Sequence, residues 1–194
     1  MGRKQRKDNS KMWSVGMSVF IAILMVLSVF GVLIGSYTNE IRYGKHKFAR
    51  TDIGYETKLD GKMVQFYTLP PETFYLNFSN ETRAKLFTAP FIVTTFNPNI
   101  ANQSISAIEL ARFDLLNEIG NLKVYNAVSE YSEQYANVPL VTCENASIAT
   151  PLIIFNVSDR LEVIDTGACV YFNGKANDFL KIRDLMLYAY YGVN

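Results

Sequence analysis

Residues 12–39 carry no formal charge over 28 positions, and five basic residues, Arg3, Lys4, Arg6, Lys7 and Lys11, stand directly before them. The run MWSVGMSVFIAILMVLSVFGVLIGSY is long enough for one helix to cross a bilayer, since a span needs about 20 apolar residues at about 1.5 Å of rise each. A cleaved signal sequence has a shorter apolar core and ends at a small-x-small site. Here the run is longer, and only Gly35 and Ser36 are small near its end. A helix packed in a soluble core would keep a polar face, and this segment has none. The organisation expected is therefore a basic cytoplasmic tail (1–11), a transmembrane helix (12–37), a polar juxtamembrane stalk (38–52) and one extracytoplasmic domain (53–194).

The positive-inside rule sets orientation. Five basic residues precede the span, and Arg42, Lys45, Lys47 and Arg50 follow it. The first group is denser, which favours tail inside and domain outside. Both cysteines lie beyond the span, as do five Asn-x-Ser/Thr triplets at Asn77, Asn80, Asn102, Asn145 and Asn156. Such triplets accept glycans only on the translocated side. Within the span, Gly31 and Gly35 form a small-xxx-small step of the kind that packs helices together.

Beyond the anchor about 150 residues remain, which suits a single core. The chain holds 13 Phe and 12 Tyr, and its net charge is only +1. Aromatics on this scale favour buried strands. The near-neutral charge lacks the basic stripe of a nucleic-acid binder. The expected fold is mixed α/β: an N-terminal β-hairpin, a βαβ unit and a closing helix on one mixed sheet.

Local signals place the elements. Asp60-Gly61 sits between two alternating runs, YETKL and KMVQFY, and supplies the positive φ angles of a type I′ hairpin. Tyr55, Thr57 and Leu59 should share a face with Val64 and Phe66. FYLNF (74–78) reads as a short strand, and Ser79 opens a short helix through Leu86. FIVTTF (91–96) reads as a buried strand. Ser106 and Glu109 make a capping box, ahead of a helical stripe of Ile108, Ala111, Leu115 and Ile119 that stops at Gly120. LKVYNAV (122–128) follows as the strand that completes a βαβ crossover. PLVTC, PLIIFNV, RLEVID and ACVYF read as strands. DFLKIRDLMLYAYY closes the chain as a helix between Asn177 and Gly192.

Chemistry is sparse. His46 is the one histidine, placed in the stalk without ligand-type neighbours, so no Ser-His-Asp set, catalytic His-Cys pair or zinc site is expected. No glycine-rich phosphate loop is present, and no cofactor is expected. Cys143 and Cys169 stand 26 positions apart. Outside the cytoplasm two cysteines in one domain most simply form a disulfide, and two buried thiols are the alternative. The strand and helix order carries a thioredoxin-type flavour but lacks Cys-x-x-Cys. A solute pocket would draw on groups such as Tyr131, Tyr135 and Glu144.

TTFNPN (94–99), LARFDLLNE (110–118), PLVTCENAS (139–147), TPLIIFNV (150–157) and FLKIRDLMLYAYYGV (179–193) together resemble a group of uncharacterised archaeal membrane-anchored proteins with one N-terminal span. The resemblance covers residues 90–194 and implies an archaeal envelope and a paired Cys143–Cys169, with no activity attached. The expected role is non-enzymatic. It is a binding or scaffolding module held on the lipid bilayer, with other envelope proteins or further copies of itself as partners. The alternatives are an envelope thiol-disulfide protein and a solute-binding receptor domain.

Overall fold

A computed structural model describes residues 10–37, 40–76, 78–119 and 123–193, with the side chains of the first helix described at 13 and 15–30. The chain divides into two compact units, Met1–Ile41 and Arg42–Asn194.

The first unit is dominated by α1 (Ser10–Tyr37), a continuous helix of 28 residues. Its described apolar side chains stand open, from 49% exposed at Ile21 and Leu24 to 77% at Trp13. Among the described residues, no helix is long and apolar enough to cross a membrane. Gly31 and Gly35 fall within the α1 backbone.

The second unit is a mixed α/β fold built on two sheets. The first sheet runs in the order β1-β2-β3-β4, with β1 (Glu40–Tyr43), β2 (His46–Thr51), β3 (Gly54–Leu59) and β4 (Lys62–Phe66). The hairpin read from Asp60-Gly61 is present in register, with Tyr55 opposite Phe66 and Thr57 opposite Val64. Both turn residues have positive φ, 47° at Asp60 and 84° at Gly61. A Cβ at Gly61 would meet nothing within 4 Å, so Gly61→Ala isolates the backbone cost of the left-handed conformation. Gly61→Ala should lower stability by about 1 kcal/mol and Gly61→Asn by less, read by urea denaturation.

The stalk expected over 38–52 is instead largely strand. Residues 46–51 form β2, which pairs antiparallel with β3. One apolar side chain accounts for the difference. Phe48 is fully buried, and strand alternation lets the polar residues around it face outward.

After β4 a short 3-10 turn covers Pro70–Glu72. Of FYLNF, residues 74–76 lie in turns rather than in a strand, with Leu76 N–H donating to the Thr73 carbonyl. Its rings act as separate plugs, Phe74 on Tyr188 and Phe78 on Phe172. α2 (Asn80–Thr88) starts at Ser79, whose hydroxyl accepts the Thr82 N–H.

The second sheet has the order β6-β5-β7-β9-β8, from β5 (Phe91–Phe96), β6 (Lys123–Asn126), β7 (Leu152–Val157), β8 (Glu162–Asp165) and β9 (Cys169–Gly174). β6, β5, β7 and β9 run parallel, and β8 is an antiparallel edge. The crossover from β5 to β6 passes through α3 (Asn102–Glu118). α3 begins four residues before the capping box read at Ser106. The Ala101 carbonyl accepts the Ser104 and Ile105 N–H groups, while Ser106 bonds back to the Asn102 carbonyl and Glu109 faces Arg112. Gly120 lies outside the described residues. PLVTC is not a strand either; Leu140 forms a single bridge to Val128, and Cys143–Asn145 make a 3-10 turn.

α4 (Asp178–Tyr191) ends at Gly192, whose φ of 69° is the left-handed cap conformation. The sequence shows one apolar face on this helix, but every residue from Ile182 to Ala189 is buried. The physical reason is a second neighbour. Phe179 packs on Phe155 of one sheet, and Tyr188 stacks on Phe66 of the other with ring centroids 4.3 Å apart. A helix buried on both sides belongs in such a sandwiched position, and its two buried charges, Arg183 and Asp184, pair with each other.

Candidate functional site

Parallel sheets collect ligands outside the carboxyl ends of their strands, where neighbouring strands lead away in opposite directions. Here that point lies between β5 and β7. β5 leads through α3 to β6 on one side, and β7 leads to β8 and β9 on the other. A cavity of about 640 Å³ opens at this edge. Gln103 and Ser104 from the start of α3, Ser158 and Asp159 after β7, and Lys175 and Asn177 after β9 line it.

Each wall is fixed by main-chain geometry. Ser158 N–H donates to the Gly174 carbonyl at 2.9 Å, which ties the β7 exit loop over the end of β9. Lys175 N–H donates to Asp178 Oδ2 at 3.0 Å, which shapes the turn into α4. A Cβ at Gly174 would come within 2.8 Å of the Asp178 Cβ, so strand end and helix start can meet this closely only at glycine. Lys175 Nζ lies 3.4 Å from Asp159 Oδ1, with side chains 66% and 99% exposed; such an exposed pair holds its partners weakly.

A separate polar cluster joins α3 to β6. Arg112, buried on α3, donates from Nε to Asn126 Oδ1 at 3.0 Å and from Nη2 to the Ala127 carbonyl. Its guanidinium sits over the Phe96 ring. Burial lowers the Arg112 pKa, against the pull of Glu109. Burial raises Tyr135, with Glu109 adding to the rise. Every polar end of Arg112 is occupied, so the cluster clamps α3 to β6 rather than offering a free group.

Cys143 and Cys169 are joined in a disulfide with Cα atoms 5.9 Å apart. Cys169, at the start of β9, is fully buried. Cys143 lies in the 3-10 turn rather than in a strand. The bond pins the 139–150 segment, whose Val141 carbonyl also accepts the Thr95 hydroxyl. Thiol exchange needs an attacking thiolate to reach a sulfur; Cys169 is fully buried and Cys143 is half-buried.

None of the residues read from sequence as a solute pocket lines the crevice at the end of β7 and β9. Tyr131 is 69% exposed, Tyr135 packs edge-on against Phe96, and Glu144 is exposed beside Cys143. Asn80, Asn102 and Asn145 are exposed, and Asn156 is exposed with its amide donating to Asn173; Asn77 lies outside the described residues. Among the described residues no cluster of His, Cys, Asp and Glu is arranged to hold a metal. The crevice itself was missed, and its signal was topological: only the strand order assembles residues 103–104, 158–159 and 175–177. Comparison of the chain with protein-family models, with curated proteins and with solved structures gave no match.

Proposed function

We propose that this protein is a membrane-anchored binding module whose disulfide-pinned α/β domain stands outside the cytoplasm and takes its ligand at the carboxyl edge of the parallel sheet. The observation that carries the reading is the charge-free run of residues 12–39 directly behind a basic cluster. A span needs about 20 predominantly apolar residues, and this run of the sequence exceeds that length. Orientation rests on the basic tail before the helix and on the disulfide, a bond that persists in oxidising compartments. The archaeal membrane-anchored group that the sequence resembles would make the compartment a cell envelope.

Full-length protein should stay with membranes through alkaline carbonate, and a chain lacking residues 1–39 should be released. Protease added to intact cells should digest the domain and spare the tail. Extraction by carbonate, or a domain shielded until lysis, overturns the reading.

A further inference from the structure

Five Asn-x-Ser/Thr triplets are an excess for this chain. With 16 asparagines and 24 serines and threonines among 194 residues, chance placement gives about two of these glycan-acceptor triplets. All five fall beyond the charge-free run, at Asn77, Asn80, Asn102, Asn145 and Asn156. An N-linked glycan is bulky and sits on a surface loop, on an amide that is not otherwise engaged. The four described triplets differ on those terms.

Asn80 and Asn102 are exposed, but each opens a helix. The hydroxyl residues of their triplets are folded in, with Thr82 1% and Ser104 7% exposed. The Thr82 hydroxyl is also spent, donating to Asp165 Oδ2 at 2.7 Å. Asn156 belongs to β7, and its Nδ2 donates to Asn173 Oδ1 at 2.9 Å. Among the described triplets, Asn145-Ala146-Ser147 alone lies wholly outside strand and α-helix, and both Asn145 and Ser147 are exposed. Asn145 closes the 3-10 turn Cys143–Asn145. Its Oδ1 accepts the Thr142 N–H at 3.0 Å and the Thr142 hydroxyl at 3.3 Å. Both bonds use the oxygen of the amide, so the nitrogen can exchange a proton for a sugar with neither lost. The disulfide from Cys143, two residues back, holds the turn in place.

We propose that Asn145 is an N-glycosylation site, its oligosaccharide carried on the turn that the Cys143–Cys169 bond pins. The donor class is an oligosaccharide joined through phosphate to a membrane polyprenol. The bond from Asn145 Nδ2 to the sugar C1 forms as the bond from C1 to the lipid phosphate oxygen breaks. The lipid phosphate leaves with that electron pair, and the amide gives one proton to a base of the transferase. The proposal rests on the reading that the domain stands outside the cytoplasm, because such triplets are modified on the translocated side.

The test is mass spectrometry of the full chain, purified in detergent from the membranes of its own cells, reduced and digested with trypsin. Cleavage after Lys123 and Arg160 leaves Asn145 and Asn156 on one peptide, 124–160, and electron-transfer fragmentation locates any sugar on it. Sugar is expected on Asn145 in most copies, with Asn156 bare. Ser147→Ala should remove the glycan, and Ser147→Thr, which restores a hydroxyl, should keep it. Asn145→Asp keeps an acceptor for Thr142 and offers no amide nitrogen, so it should lose the glycan while the disulfide still forms. A bare Asn145 in a domain that protease digests on intact cells overturns the proposal and leaves the membrane reading standing. A bare Asn145 in a domain shielded until lysis overturns both. A glycan on Asn145 that survives Ser147→Ala also overturns the proposal, since the triplet would then not be what is recognised.

Discussion

Asp184→Ala lowers the free energy of unfolding by about 3–5 kcal/mol, the cost expected when one partner of a buried ion pair is removed. Asp184 has no exposed surface. Its Oδ2 accepts the Tyr67 N–H at 2.8 Å, the Thr68 N–H at 2.7 Å and the Thr68 hydroxyl at 2.8 Å, while Oδ1 faces Arg183 Nη1 at 2.8 Å. These bonds join α4 to the chain leaving β4, so the pair links the central helix to the first sheet. Alanine leaves two buried N–H groups unpaired and strips Arg183 of its closest carboxylate. Arg183 keeps the Gln65 carbonyl and Asp114, whose Oδ2 lies 3.4 Å from Nε. Stability of ordinary domains is about 5–15 kcal/mol, so the variant should be near its folding threshold. Equilibrium denaturation measures the loss, and a change below about 1 kcal/mol would show that the cluster contributes little.

The same carboxyl sets a pH signature. Burial pushes Asp184 up to about 6, against Arg183 and the Thr68 donors that hold it down. An unfolded aspartate titrates near 3.9, so between about pH 4 and 6 the folded state holds the additional proton. Stability from this group is therefore full below pH 4 and declines as pH rises through 6. Asp184→Asn should remove that slope. Asp165 works in the opposite sense. Burial raises it, but the bonds from Lys85, Thr82 and the Gly167 N–H outweigh this and leave it below its ordinary value, so its contribution is lost as pH falls.

Much of the backbone was legible because its signals are local. Asp60-Gly61 needs only its own φ angles and the alternation beside it. Ser79 caps within three residues, and Ile108, Ala111 and Leu115 mark one face of α3 at its own period. What the sequence concealed depends on partners distant in the chain. One apolar side chain, Phe48, carries β2 into the sheet from a basic, polar stretch. The second face of α4 is buried because the first sheet covers it, and nothing in 178–191 announces that sheet. Arg183-Asp184 inside an apolar helix was the available clue, since adjacent opposite charges in such a run need burial together. The crevice was hidden for the same reason: its serines and lysine come from three strand exits that only the order β5-β7-β9 brings side by side.

Reducing Cys143–Cys169 should destabilise the domain by about 3.5 kcal/mol, the chain-entropy value for a loop closed over roughly 26 residues, while leaving its far-ultraviolet circular dichroism intact. The two effects separate because the bond secures a loop rather than the core. Residues 127–151 contain no strand or α-helix beyond short turns and isolated bridges. Among the described residues, what ties 139–142 to the sheet is the Val128–Leu140 bridge, with its two N–H bonds at 2.9 Å, and the Thr95 hydroxyl on Val141. Thr95, Leu152 and Cys169 lie on the sheet face away from α3 by strand alternation, and all three are nearly or fully buried. Once the loop is released that face meets water, so hydrogen exchange should rise at 139–150 and along β7 before it rises in α3 or α4. The paired variant Cys143→Ser with Cys169→Ser should reproduce both changes without reductant. If reduction leaves the thermal midpoint unmoved, the hydrogen bonds alone hold the segment and the disulfide is dispensable to the fold.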